Sequence, residues 1–232
     1  MVNKYELTEI IEQIAPPENA ELWDLSGWIV ETGRKEVTKV MLCLTVTEDI
    51  VRQAQESGCD MIISHHPLFE VPLDFNRGID IYCAHTNLDK AACGTTETLI
   101  KVLGFENSKS YGHDFLRFCD FETSFEELLE RLKRISKNIR YTCPKVLRTV
   151  SRIAFCGGSG TDFWHDAMEL GAEVLVTGDL KFHTALDSKM SIIDIGHFES
   201  EILVLDELAG LLADKVEILK AEESSPIIQI KS

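Results

Sequence analysis

Two histidines stand side by side at 65 and 66, directly after the apolar run MIIS (61–64) and directly before Pro67. In open α/β sheets, functional side chains gather at the carboxyl ends of strands. There the chain turns, and neighbouring side chains no longer alternate strictly between opposite faces. Two adjacent imidazoles at such a turn suit two nearby metal ions, and Pro67 biases His66 towards extended backbone, which helps to fix the turn. The rival reading is two unrelated loop histidines. The next apolar run, IDIYCAH (79–85), ends in the same way: His85 closes it and Asp89 follows four residues later. If the two strands pair in parallel, all four residues lie on one edge of a sheet. Imidazoles joined by a carboxylate form a ligand set for zinc, iron or manganese. Taken alone, Asp89 fits a helix N-cap better, and the company of the histidines reverses that preference. A third piece, GHFESE (196–201), follows the run SIIDI. His197 and Glu201 share a face if a helix has begun there. Glu199 competes as the carboxylate, but its two-residue offset faces elsewhere.

Two further stretches carry weaker signals. GGSG (157–160) before a helix reads as a phosphate cradle or, more simply, as a plain turn, since it lacks both the Walker lysine and G-x-G-x-x-G. TGDLKFH (177–183) follows another strand and offers Asp179, Lys181 and His183. His183 suits an accessory role, as a proton donor or a substrate contact. His113 and His165 have no companions and read as structural or solvated. No G-x-S-x-G nucleophile motif occurs.

The elements that must position these residues follow from hydrophobic spacing. Apolar residues at helical spacing predict a helix over 4–14, ended by Pro16-Pro17. Strands are expected at 39–46, 60–64 and 79–85, with a helix from an N-cap at Thr47 to Gly58 and another over 90–103. Residues 105–122 lack clear periodicity. Ser124 with Glu127 forms a capping box that opens a helix to about residue 136, and 139–150 reads as a strand and a loop around Pro144. Strands then recur at 152–156, 173–177, 191–195, 216–219 and 227–230, alternating with helices over 161–170, 181–189 and 199–213. This alternation predicts an α/β protein with mostly parallel sheets. The expected divisions are an N-terminal α/β lobe over 1–104, a connecting or inserted segment over 105–150, and a C-terminal α/β lobe over 151–232.

Composition excludes several classes. Of 232 residues, 23 are Lys or Arg and 39 Asp or Glu, so the net charge is −16. A nucleic-acid binder or a protein of anionic membrane surfaces would carry a basic footprint, so neither partner is expected. The longest apolar runs fall far short of the roughly 20 residues of a spanning helix, and the acidic N-terminus is no secretion signal. Seven scattered cysteines without C-x-x-C read as small hydrophobes in a reducing cytoplasm.

In order along the chain, IISHHPLF (62–69), AHTNLD (84–89), AFCGGSGTDFWHDAMELGAEVLVTGDLKFH (154–183) and GHFESE (196–201), with WDLSGW (23–28) more loosely, resemble the Nif-three-like family, often labelled GTP cyclohydrolase I type 2 homologues. The resemblance implies two similar α/β lobes flanking a dinuclear metal site, and a toroidal homohexamer. It implies His65, His66, Asp89, His197 and Glu201 as the metal ligands, favouring Glu201 over Glu199. Two divalent ions per chain are then expected, zinc, iron, manganese, cobalt or nickel. The implied activity is that of a metal-dependent hydrolase of a small molecule, a nucleotide or phosphoester, acting through metal-activated water, with His85 and His183 orienting a ligand or moving protons. The alternative is a non-catalytic metal-binding regulatory protein or metal carrier. The chain departs from the family in placing Thr45 where an aspartate is usual, in a short 67–78 connection that lacks the usual helix, and in having no large inserted domain.

Overall fold

The computed structural model describes residues 1–68, 70–71, 78–105, 109 and 114–228. Its strands in chain order are β1 (Val2–Asn3), β2 (Gly27–Val30), β3 (Glu36–Val37), β4 (Lys39–Thr45), β5 (Met61–His66), β6 (Asp80–Cys83), β7 (Arg117–Ser124), β8 (Arg140–Tyr141), β9 (Thr149–Phe155), β10 (Val174–Thr177), β11 (Ser191–Asp194) and β12 (Glu217–Lys220). Its α-helices are α1 (Lys4–Ile14), α2 (Glu48–Glu56), α3 (Thr86–Asp89), α4 (Thr95–Val102), α5 (Phe125–Leu132), α6 (Trp164–Glu169), α7 (Phe182–Asp187), α8 (His197–Glu201) and α9 (Val204–Leu212). The chain forms two compact units. The first is Met1–Gly94 with Val204–Ser224, and the second is Thr95–Leu203 with the tail from Ser225.

The first unit is built on a sheet of order β12-β4-β5-β6-β2. The first four strands run parallel and β2 is antiparallel to β6. The middle strands are apolar almost throughout because both of their faces are covered: Val40–Leu44 and Met61–His65 are buried. Fully burying one such Leu, Ile or Met side chain contributes about 1.5–3 kcal/mol. Parallel register sets Thr45 opposite His66 and Ser64 opposite Cys83. His65, His66 and His85 therefore emerge together at the carboxyl edge. Helix α2 starts where Thr47 predicts, its hydroxyl accepting the Ile50 N–H at 3.3 Å, and it buries Ile50, Val51 and Ala54. Helix α1 has the bounds expected from spacing, with the Asn3 side chain accepting the Tyr5 N–H and with Leu7 and Ile11 turned inwards.

The second unit has a sheet of order β7-β9-β10-β11-β8. Strands β9, β10 and β11 are parallel, and the edge strands β7 and β8 are antiparallel to their neighbours. Side-chain alternation sorts its core into two clusters. Ile153, Phe155, Val174, Val176 and Ile193 pack with Leu99, Phe105 and Leu128. Ala154, Leu175 and Ile192 pack with Leu116, Phe118 and Trp164.

Both sheets are therefore mixed, where the sequence predicts mostly parallel ones. The antiparallel edge strands β2, β7 and β8 pair with strands that do not follow them directly in the chain, so local spacing does not announce their direction. The path of the chain also differs from a linear division at 104 and 150. The 105–150 stretch supplies β7, α5 and β8 to the second unit, while residues 204–224 return to the first, where β12 pairs with β4. The helix expected over 90–103 is shorter, α4 starting only at Thr95, and the chain between the preceding α3 and α4 turns at Gly94. A Cβ there would lie 1.7 Å from the Leu88 carbonyl oxygen, so only glycine lets the chain fold back on α3. Residues 227 and 228 are not in a strand, and the rest of the strand expected at 227–230 lies outside the described residues, as does His113. The seven cysteines are free thiols, five of them buried. No helix of the described residues is long and apolar enough to cross a membrane.

Candidate metal centre

In the first unit, the last turn of β5 delivers His65 and His66, and the exit from β6 delivers His85. Ring centres lie 5.0 Å apart for His65–His66, 5.3 Å for His65–His85 and 5.7 Å for His66–His85. One nitrogen from each of the three lies within 4.8 Å of the others. Each ring is held through Nδ1. His65, wholly buried, donates from Nδ1 to the Ala84 carbonyl at 2.9 Å. Nδ1 of His66 lies 2.6 Å from the Thr45 hydroxyl. His85 bonds through Nδ1 to Asp24 Oδ1 at 2.8 Å. The consequence is that Nε2 is the nitrogen each ring can offer to a metal. Nε2 of His65 lies 3.5 Å from Asp89 Oδ1. Asp89 closes α3 instead of opening a helix, which removes the N-cap reading, and the N-cap position belongs to His85.

Asp24 is the residue whose role the sequence did not disclose. Its carboxylate is buried and accepts from the Ser26 hydroxyl at 2.8 Å, the Thr86 hydroxyl at 2.5 Å and the Thr86 N–H at 3.0 Å, besides His85. Burial alone would raise its pKa. The hydrogen bonds from Thr86, His85 and Ser26 outweigh that and hold the carboxyl well below the usual carboxylate range. It stays ionised and fixes both His85 and the start of α3. The only signal was its place in WDLSGW.

In the second unit, β11 leads through Gly196 into α8. Nε2 of His197 lies 2.9 Å from Glu201 Oε2, one helical turn on, and Nδ1 lies 2.7 Å from Asp179 Oδ2. Glu199 turns the other way, accepting from the Asn138 amide at 3.1 Å, whereas Glu201 lies beside the His197 ring. The GGSG turn spends its N–H groups inside the unit, Gly157 on the Thr96 hydroxyl at 3.0 Å and Gly160 on the Thr177 hydroxyl at 2.9 Å. Gly158, at φ +66°, lies against the Glu201 carboxylate, and a Cβ there would sit 2.0 Å from Oε1. Its N–H donates to the Ser200 hydroxyl at 2.9 Å, which ties the turn to α8. His183 is exposed on α7, edge-on to Phe182, and is not grouped with the other donors.

Burial would lower the His197 pKa, but the bonds and charges of Glu201 and Asp179 raise it to about 9. A folded-state value above the ordinary one stabilises the fold fully below about pH 6.5. That contribution is lost as the pH rises through about 9. In chelator-treated protein, an NMR titration of the His197 imidazole is expected to show its midpoint near 9. The midpoint should fall towards the ordinary value in Glu201→Gln, and an unshifted imidazole in both proteins would refute the ion pair.

The donor chemistry fits a metal: imidazoles with anchored Nδ1 atoms, and a carboxylate on the Nε2 side of His65 and of His197, form the borderline-to-hard set that divalent transition ions take. These features define an α/β protein with mixed sheets and metal-competent histidine–carboxylate clusters at strand ends. The chain belongs to the Duf34/NIF3 (NGG1p interacting factor 3) family, whose model matches residues 2–229. It is 31% identical to a GTP cyclohydrolase 1 type 2 homolog of Clostridium perfringens, over 94% of this chain and 96% of that one. Its fold is similar to that of reduced HcgD from Methanocaldococcus jannaschii, with a TM-score of 0.84, 26% identity, and 96% and 98% of the two chains covered. A Bacillus cereus protein related to NIF3 shares the fold at a TM-score of 0.82 and 21% identity, covering 98% of this chain and 99% of that one.

Proposed function

We propose that the protein is a metal-dependent hydrolase in which His65, His66, Asp89, His197 and Glu201 ligate two divalent ions, and that it acts on a nucleotide or phosphoester. The observation that supports this reading is the anchoring of Nδ1. His65 and His197 each give that nitrogen to a carbonyl or carboxylate, and Nδ1 of His66 lies 2.6 Å from the Thr45 hydroxyl, as metal-ligating histidines do. Two divalent ions, when bound, supply Lewis acidity, lower the pKa of water towards neutrality and offset charge that develops on the group under attack. The chain's own residues prepare for this. Asp179 orients His197, Asp24 orients His85, and Gly158 leaves room for Glu201. In the absence of an ion, a proton is shared between His197 and Glu201 and must leave when metal binds. In a chain of net charge −16, the ions also provide the positive charge that an anionic substrate needs.

The name of the Clostridium relative makes GTP the first substrate to try. A homohexameric assembly, a cytoplasmic location, and His183 as a contact for substrate or protons belong to the same proposal. The test is metal content per chain in protein purified without chelator, followed by hydrolysis of GTP, other nucleotides and phosphoesters with each of zinc, iron, manganese, cobalt and nickel restored. About two ions per chain are expected. Turnover should fall at least about 1,000-fold in Asp89→Ala, equivalent to about 4 kcal/mol of barrier. Two ions without turnover on any substrate would transfer the assignment to a metal carrier or regulatory protein. No ion after reconstitution would overturn both.

A further inference from the structure

The five ligands implied by the family resemblance leave out His85, yet its ring centre stands only 5.3 and 5.7 Å from those of His65 and His66, against 5.0 Å between these two. We propose that His85 is itself a metal ligand, completing with His65 and His66 a three-imidazole site that lies wholly within the first unit, and that Asp24 is the positioning residue which fixes its tautomer. This rests on the metal reading above and extends it.

Three observations carry the assignment. The first is spacing. Imidazoles that share one tetrahedral ion, with metal–nitrogen distances of about 2.0–2.1 Å, place their ring centres about 5 Å apart. The observed separations are 5.0, 5.3 and 5.7 Å. The second is orientation. All three Nδ1 atoms are engaged on the outside of the group, by Ala84, Thr45 and Asp24, which leaves Nε2 as the common ligating atom. The third is the cost of building it. Asp24 is a buried carboxylate held by Leu25, Ser26, Thr86 and His85, and the His85 N–H donates to the Ser26 hydroxyl at 3.2 Å. A solvated loop histidine needs no such support. Asp89, beside His65 Nε2 at 3.5 Å, adds an oxygen donor from the same unit.

The set is richer in nitrogen than the His197–Glu201 pair of the second unit. Imidazole suits zinc, copper, nickel and iron, whereas carboxylate suits harder ions such as manganese. The first ion is therefore expected to load on the histidines without help from the second unit, and to be of the softer kind.

The test measures binding, not turnover. In the His197→Ala/Glu201→Gln double variant, zinc and cobalt titrations with metal analysis are expected to show one ion retained per chain. Adding His85→Ala should weaken that ion more than about 100-fold and change the visible absorption of bound cobalt. Asp24→Asn, which offers the wrong partner to Nδ1, should cost about 10–100-fold, the usual effect of a lost outer-shell partner. Asp24→Glu should restore part of the loss. Circular dichroism confirms that each variant is folded, and His85→Gln replaces His85→Ala if the latter is not. A double variant that binds nothing, or one whose affinity and cobalt spectrum ignore His85, overturns this inference. Failure of the unsubstituted protein to bind any ion would instead overturn the metal reading itself.

Discussion

Gly158→Ala is expected to destabilise the protein by about 2–4 kcal/mol and, on the proposed metal reading, to weaken binding at His197 and Glu201 at least about 10-fold. Two costs combine. A non-glycine residue in the left-handed region pays about 1–2 kcal/mol, and Gly158 sits there at φ +66°. The added methyl would stand 2.0 Å from Glu201 Oε1 and 3.0 Å from its carboxyl carbon, so the buried carboxylate must leave its place beside His197. The second cost exists only while both side chains are present. Removing the carboxylate as well, in Gly158→Ala/Glu201→Ala, should therefore cost less than the sum of the single changes by about 1 kcal/mol or more. Urea unfolding of the four proteins measures this coupling, and strict additivity would show that the turn and the carboxylate do not meet.

Asp80→Ala should be the most damaging substitution away from the clusters, at about 3–5 kcal/mol. The side chains of Lys4 and Asp80 are both wholly buried and lie 3.1 Å apart. Lys4 also donates to the Thr32 carbonyl at 3.0 Å and lies 4.8 Å from the centre of the Trp28 ring. Asp80 accepts from the Thr32 N–H and hydroxyl. Removing the carboxylate leaves the buried ammonium with the Thr32 carbonyl and, at 3.6 Å, the half-exposed Glu31 carboxylate, too little to replace a buried partner. The double variant Lys4→Met/Asp80→Asn removes both charges and keeps an acceptor for Thr32, so it should return to within about 1 kcal/mol of the parent. Thermal or urea unfolding of the three proteins decides this. Asp80 opens β6 and His85 follows its far end, so metal affinity of the folded variants should stay unchanged, which separates this prediction from those about the clusters.

The histidine clusters at the strand ends were legible because their residues are local in sequence. An apolar run followed at once by His65-His66, or by His85 and then Asp89, fixes both the element and its edge. That Glu201, not Glu199, lies beside His197 follows from helical spacing alone. The role of Gly158 was illegible, because what demands a glycine there is a carboxylate 43 positions later (201 − 158). Asp24 was missed for a similar reason: besides the neighbouring Leu25 and Ser26, its partners are His85 and Thr86, some 60 residues on. Strand β7 gave no periodic signal because its register shifts between Asp120 and Thr123, and residues 120–122 are all exposed, which erases the alternation. The return of β12 to the first unit was also invisible, since a parallel strand looks the same whichever sheet receives it.

That return has a consequence for how the molecule is made. A ribosome releases residues 1–94 long before it reaches 217–220, so a nascent first unit must wait, through the synthesis of the whole second unit, for the strand that covers the open side of β4. During that interval the edge of β4, rich in Met, Leu, Cys and Val, is an exposed template for pairing with another chain. The second unit, whose sheet and both core clusters fall within Thr95–Leu203, has no such dependence and can complete itself as it emerges. The protein is thus expected to mature from its middle outwards, with its N-terminal half finished last.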